Sequence, residues 1–446
     1  MKFNIYALPL MASLCATMPA TGQTNEPITL SLQQAMDYAT KNNVAAKNAQ
    51  LDVLIQEVQN NEVTANAYPR INGQGQFIDY IDPMQSFIPG EFFNQPGTFV
   101  PVQFTPKYSS SLALSGSQII FDGGVLVALQ ARKSVLELAR QNGKLTTENL
   151  RYNVQKAYRA LVIANKQFSI LKQSLSNARS MAQDMFAMHD AGFTEKIDVD
   201  RTNVQVNNLA ADSMRIGNLL RVSEQLLKFQ MGMSIEQPVV LTDTAVSGQI
   251  LQASAMLEST ADFSHRTEFS LLQTQQKLNG YNLRRYQYAA IPTLSAFGNM
   301  GYNYSSNKFK SLFGEQYIWS SYVGLQLNFT LFNGLLRQNQ VKEVKLNMLK
   351  TQNNIDNLKL TIDFQTKSAR TTLRNALLQA ESQRRNALLA ASVLDLAQRK
   401  YKEGVGSNLE VTQAQTEYLQ AQNNYFNVLM EISNAEADLK KALGDF

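Results

Sequence analysis

The sequence predicts a mainly α-helical protein with a small transmembrane β part and an internally duplicated architecture. Three observations predict it. Two stretches of more than 60 residues hold a seven-residue apolar period with almost no Pro or Gly, two hairpins carry long alternating strands, and a set of short motifs recurs in the same order in both halves of the chain.

The N-terminus reads as a signal peptide over residues 1–22. Lys2 supplies the positive charge, Ile5 to Met18 is almost uncharged and apolar, and Ala20 and Gly22 place small side chains before a predicted cleavage site. Pro19 and the polar residues from Thr21 onward cut the segment short of the roughly 20 apolar residues a spanning helix needs. Leu14 before Cys15 does not fit lipidation, and Cys15 is the only cysteine, so the mature chain is expected to form no disulfide and no thiolate metal site. Charged residues are 17% of the chain, with a formal charge of +5 and a pI near 9.0. No Lys/Arg cluster interleaved with aromatics accompanies that charge, so nucleic acid is not the expected partner.

Ala67-Tyr68-Pro69-Arg70-Ile71 is answered by Ala290-Ile291-Pro292-Thr293-Leu294, and Phe121-Asp122-Gly123-Gly124 by Phe332-Asn333-Gly334-Leu335. Gly192-Phe193 with Asp198-Val199 is answered by Gly404-Val405 with Glu410-Val411. The expected organisation is a first repeat over 23–234, a linker over 235–257 and a second repeat over 258–446. Each repeat reads helix, hairpin, long helix, turn, helix. In the first, a helix runs from Leu32 to Asn66 after Ser31 as N-cap. Strands Arg70 to Tyr80 and Tyr108 to Phe121 make the hairpin (70–121). In the second, a helix from about Ser264 to Tyr288 precedes strands Thr293 to Tyr304 and Tyr317 to Phe332 (hairpin 293–332). Within the linker, Val240 to Val246 could hold a short strand.

The long helices run from Gly124 to about Met188 and from Leu335 to about Lys402. At 1.5 Å per residue each spans roughly 95 Å, far beyond a globular helix. Val154, Leu161, Phe168, Leu175 and Ala182 fall every seven residues, beside a second seam of Leu150, Ala157, Ala164, Leu171 and Ala178. Val341, Met348, Ile355, Ile362, Ala369 and Ala376 keep the same period. Sustained sevens specify a left-handed supercoil against a facing helix. A soluble coiled coil would satisfy the helices equally well.

The strands separate the two. Val323, Leu325, Leu327, Phe329 and Leu331 alternate with Tyr322, Gly324, Gln326, Asn328 and Thr330, and the strands are longer than the usual five or six residues. Tyr302, Tyr304, Tyr317, Trp319 and Tyr322 gather near the hairpin end, as a membrane girdle of aromatics would. No second apolar run could form a spanning helix, so any membrane crossing is by strands. Four strands cannot close a barrel, which requires several chains to share one.

The chain resembles the outer membrane efflux protein family, from about Leu30 to Leu443. The resemblance rests on the duplication, the Pro closing each first helix, the Phe-Asp-Gly-Gly and Phe-Asn-Gly-Leu turns, the turns written Gly192 to Val199 and Gly404 to Val411, and Arg266-Thr267-Glu268-Phe269 at the start of the second half. It implies a homotrimer with a twelve-stranded β-barrel in outer membrane lipid, continued by a long α-helical coiled-coil barrel in the periplasm. It also implies docking to a periplasmic adaptor (membrane fusion) protein and an inner-membrane pump of the RND or ABC type.

The turns near 192 and 404 carry the expected site residues. Gly192 and Gly404 fit helix C-termini that take a left-handed conformation. Asp198 and Glu410 match the family's acidic periplasmic aperture, and Tyr401 its aperture tyrosine, with His189 as the first-copy counterpart. A carboxylate in the first turn of a helix is also favourable on its own account. Gly406 stands where the family's basic latch would be and Gln413 where a second acid would be, so a tip held shut more weakly, or by hydrogen bonds, is expected, with Lys196, Lys400 or Lys402 able to substitute only by a different geometry. At the barrel-to-helix junction, Phe121 and Phe332 are assigned to packing, and Gly123, Gly124 and Gly334 to the geometry of the bend.

No nucleophile motif, metal spacing or phosphate loop points to an enzyme, a metal or a cofactor. The expected function is the outer membrane channel of a tripartite efflux or secretion system. The alternatives are the outer membrane component of a type I protein secretion system and a structural surface coiled coil.

Overall fold

A sequence of two Pro-free rods and long alternating strands folds as its periodicities require, and the exceptions occur where tertiary contacts override local propensity. The computed structural model describes residues 27–243, 253–259, 262–309 and 317–446. The signal peptide predicted over residues 1–22 lies outside them.

Strand β1 (Ile28–Leu30) leads into α1 (Leu32–Asn42), which Ser31 opens with a capping box shared with Gln34. The expected single helix to Asn66 is two, because Asn43 is extended (φ −64, ψ 136) and α2 (Val44–Ala65) begins after it. Asn43 closes one helix through its N–H to Ala39 O and opens the next by accepting from Ala45 N at 2.8 Å. Its amide donates to Gln230 O at 2.8 Å. No Pro or Gly marks the break. The break lies against Gly232, packed so closely that an added Cβ there would stand 2.7 Å from Asn43 Cα.

The four-stranded sheet has the order β2 (Arg70–Asp79), β5 (Tyr108–Phe121), β7 (Thr293–Ser306), β8 (Ile318–Asn328), antiparallel throughout. Within the loop between β2 and β5, β3 (Gln85–Pro89) and β4 (Phe99–Gln103) pair as a separate small hairpin. β8 is shorter than the strand expected to reach Phe332. Its last partner is Thr293, and the residue before Thr293 is Pro292, which has no N–H to continue a ladder.

The long helices are α3 (Gly123–Asp190, 68 residues) and α6 (Leu336–Lys402, 67 residues), each about 100 Å long. They are joined by tight turns to α4 (Lys196–Met231) and α7 (Asn408–Leu443), both of 36 residues. α2 and α5 (Thr267–Tyr288), of 22 residues each, flank the upper parts of α3 and α6. Leu150, Val154, Ala157, Leu161, Ala164, Leu171, Leu175 and Ala178 are all buried, as are Ile355, Ile362, Ala369 and Ala376. The sevens thus mark the seam along which α3 meets α4, and Ala369 and Ala376 the seam of α6 with α7.

Midway along the rods, β6 (Val239–Leu241) pairs in parallel with β1, so the strand expected from Val240 begins one residue earlier, and residues 244–252 lie outside the described set. Tyr158, fully buried, donates to Leu30 O at 3.0 Å, and Asp243 accepts from Leu32 N at 2.7 Å. The linker is therefore bolted to the first rod at its waist.

Candidate functional site

The sheet register sorts its side chains into two unlike faces. Directly opposed residues share a face, so Trp319, Val323, Leu325 and Leu327 of β8 lie with Tyr302, Met300, Ala296 and Leu294 of β7. Leu112 and Leu114 of β5, and Phe77 and Ile71 of β2, complete that face. Asn299 and Ser295, Gln326 and Asn328, Ser111 and Ser115, and Asn72, Gln74 and Gln76 occupy the other. Val323, Leu325 and Leu327 are exposed within this chain, and both faces are open. Among the described residues no further strand pairs with the outer edges of β2 and β8.

Four of the five girdle residues come together. Tyr302 meets Trp319 at 4.8 Å and Tyr317 at 6.3 Å between ring centroids, and Tyr304 meets Tyr317 at 5.4 Å. Tyr322 does not join them. It pairs with Asn299 on the polar face and packs against Phe297, because three residues from Trp319 is an odd step along a strand. Phe77, Tyr108 and Phe309 form a second aromatic cluster at the same end. Sequence reasoning missed it because its members come from three separate segments.

Where the sheet passes into the rods the two halves differ. Asp122 caps α3, accepting from Gly124 N at 2.7 Å and Val125 N at 3.1 Å. Gly123 is helical, and its role is close approach, since a Cβ there would stand 2.8 Å from that of Tyr288. In the second half Gly334 (φ 64) and Leu335 (φ 66) are both left-handed, and α6 starts without a side-chain cap. Phe121 lies at a register shift at the foot of β5, and Phe332 is exposed within this chain.

At the far end of the rods, Gly192 (φ 79) and Gly404 (φ 76) take the left-handed conformation expected of them. Phe193 N reaches Met188 O and Gly192 N reaches His189 O; Val405 N reaches Lys400 O and Gly404 N reaches Tyr401 O. Both turns are therefore Schellman motifs that satisfy the last carbonyls of the rods. Gly406 has a steric cause, because a Cβ there would stand 2.9 Å from Tyr401 N and 3.0 Å from the Lys400 Cβ. No larger residue fits that turn without moving it.

The two tips are joined by a residue the sequence did not flag. Asn408, 4% exposed, donates to Asp198 O at 3.0 Å and to the Thr202 hydroxyl at 3.1 Å, with Thr202 1% exposed. Thr202 in turn donates to Asp198 O at 2.8 Å. Thr202, Leu209 and Ile216 are spaced by seven and all buried, so a polar residue in an apolar seam was the available signal.

The predicted acidic residues sit in unlike settings. Asp198 is half-buried, and its nearest basic partner is Arg201 at 3.7 Å, one turn along its own helix, in place of the lysines considered from sequence. Glu410 is exposed, its N–H donating to Ser407 at the start of α7. Gln413 donates to Glu417 at 3.0 Å. Tyr401 turns its hydroxyl toward the sulfur atoms of Met185 and Met188. Burial pushes its phenol above the usual range, and the charges of Asp198 and Asp184 add to the effect. His189 Nδ1 lies 3.0 Å from Thr194 O, inside its own turn.

Among the described residues no helix is long and apolar enough to cross a membrane, and no three of His, Cys, Asp or Glu stand together as metal ligands would. A sheet with one apolar, aromatic-ended face and one amide-and-hydroxyl face, mounted on paired helical rods, defines a membrane-strand protein with a long helical extension.

Residues 267–445 match the family described as Outer membrane efflux protein. Outer membrane protein TolC of Escherichia coli (strain K12) is 20% identical over 346 residues, covering 75% of this chain and 69% of its own. The CmeC outer membrane channel of Campylobacter jejuni shares the fold with a TM-score of 0.71 at 17% identity, over 100% of this chain and 94% of its own. The outer membrane protein VceC of Vibrio cholerae does so with a TM-score of 0.69 at 14% identity, over 93% and 96%.

Proposed function

We propose that this chain forms the outer membrane channel of a tripartite efflux or secretion system, giving passive passage from a periplasmic adaptor and inner-membrane pump to the exterior. The observation that carries the proposal is the sheet: one face suited to lipid, the other suited to water, and two edge strands whose ladders another copy can complete. Three copies would make a twelve-stranded barrel, with β2 of each pairing β8 of the next. Apolar residues left exposed along the rods, among them Leu346, Leu360, Phe364, Leu378 and Leu389, give the copies a surface on which to meet. The recurrent element order is read as a duplicated unit, and outer membrane lipid as the surroundings of the apolar face.

At the tips, Asp198 and Glu410 are assigned to a negatively charged aperture ring, with Tyr401 and Gln413 beside it and the Asn408–Thr202 bonds holding each chain's two hairpins together. Three copies of each carboxylate would favour cations and oppose their own approach. Purified protein added to planar bilayers is expected to raise conductance. Asp198→Ala with Glu410→Ala is expected to weaken block by divalent cations at the periplasmic side. Unchanged block would remove both carboxylates from the aperture, and an absence of any conductance would refute the channel itself.

A further inference from the structure

The hairpin between β2 and β5 is more than a loop. Its turn is fully built: Gly90 N donates to Thr98 O at 2.7 Å, Gln95 N to Gly90 O at 2.9 Å, and the Thr98 hydroxyl to Gln95 O at 2.8 Å. A Cβ at Gly90 would collide with Gln95 O at 2.2 Å, and Asn94 is left-handed at φ 56. The base is tied down as well, with Tyr80 N on Lys107 O at 2.8 Å and Lys107 N on Asn307 Oδ1 at 2.9 Å. Yet this ordered unit leaves its aromatics in water. In β3 and β4, Phe87 opposes Pro101 and Pro89 opposes Phe99 on one face, with Phe87 70% and Phe99 71% exposed; Phe92, Phe93 and Phe104 are exposed beside them.

At roughly 200 Å² per aromatic side chain, these five Phe leave on the order of 650 Å² uncovered. Phe87 and Phe99 share one face of the hairpin, and the sum over the whole hairpin approaches the ~800 Å² each partner contributes to a standard interface. The occupant follows from composition and position. From Ile81 to Pro106 the only charges are Asp82 and Glu91, with no Lys, Arg, Tyr or Trp. A segment meant for the lipid interface would carry those residues, whose polar ends suit headgroups; here that chemistry belongs to Tyr302, Tyr304, Tyr317 and Trp319. Phe and Pro without polar ends favour a dry protein contact. The hairpin also springs from β2, the edge strand at which the next copy joins.

We infer that the Phe87/Phe99 face packs against the same hairpin of neighbouring copies, narrowing the outer mouth of the channel. This rests on the multi-chain barrel proposed above. The test uses the full chain with Cys15→Ser and Gln103→Cys, which places one thiol on the exposed face and keeps every Phe. Mild oxidation is expected to link two chains covalently, and Phe87→Ser with Phe99→Ser to raise single-channel conductance at least twofold. A conducting particle of three-chain mass that fails to crosslink, or whose conductance is unmoved by the double substitution, overturns this inference and leaves the channel standing. A non-conducting particle of one-chain mass overturns both. Lipid-dependent quenching of a fluorophore on Gln103→Cys, without crosslinking, assigns the face to the membrane and equally overturns the contact.

Discussion

Replacing Asn408 by Ala removes the residue that, among the described residues, bonds α7 to Asp198 and Thr202 across the two tips. Its amide donates to Asp198 O at 3.0 Å and to Thr202 Oγ1 at 3.1 Å, in a site from which water is largely excluded. Each such bond contributes about 0.5 to 1.5 kcal/mol net. Neither acceptor is orphaned, because Thr202 itself still donates to Asp198 O at 2.8 Å, so the full desolvation penalty of an unmet group does not apply. The expected loss is therefore about 1 to 3 kcal/mol per chain. If three tips part together, the sum of about 3 to 9 kcal/mol shifts the closed-to-open ratio by roughly 10² to 10⁶. The assay is open probability in planar bilayers, with hydrogen exchange of the 192–202 and 404–411 amides as a second readout. Gln413→Ala, which breaks only the exposed bond to Glu417, is the control and is expected to change neither. Wild-type open probability and exchange in Asn408→Ala would refute the tether.

Asp122→Ala is expected to destabilise the start of the first rod by about 1 kcal/mol through loss of two capping bonds, whereas Asn333→Ala should be silent because α6 has no side-chain cap; local hydrogen exchange distinguishes them. Gly406→Arg, which would put a base into the tip turn, is expected to lower thermal stability by about 1 to 3 kcal/mol, since its Cβ would crowd the Lys400–Tyr401 backbone. Gly404→Ala meets open space and should cost about 1 kcal/mol from its positive φ alone. Tyr401 holds its proton more tightly when folded, so its contribution is whole below the unfolded value of about pH 10 and is lost as pH rises toward the raised folded one. Tip exchange should accelerate above that pH in the wild type, and by less in Tyr401→Phe.

What was legible in the sequence follows from repetition. The seven-residue seams, the strand alternation and the two left-handed glycines all express local rules applied many times over, and each residue of the set reports the same geometry. Asp122 stood in the Phe-Asp-Gly-Gly motif, but its role as the cap of α3 was not read there. Tyr322 was misplaced although the alternation itself sets it with Gly324 and Gln326 on the polar face. Asn43 and Asn408 were not legible. Each is an ordinary polar residue set apart by bonds to distant segments, Asn43 to Gln230 O and Asn408 to Asp198 O and Thr202 Oγ1. A single contact between distant segments leaves no period to read.

The matched lengths of the helices carry a consequence for how this chain can change. α2 and α5 have 22 residues each, α4 and α7 have 36 each, and the rods differ by one. Length acts here as a ruler cut twice to the same measure, bringing Asp198 and Asn408 to one level. A single inserted residue in one rod would displace its tip by about 1.5 Å and swing it by roughly 100°, parting Asn408 from Thr202 without altering either. Substitutions can accumulate along these rods one at a time, but insertions must come as whole heptads, and in both rods together.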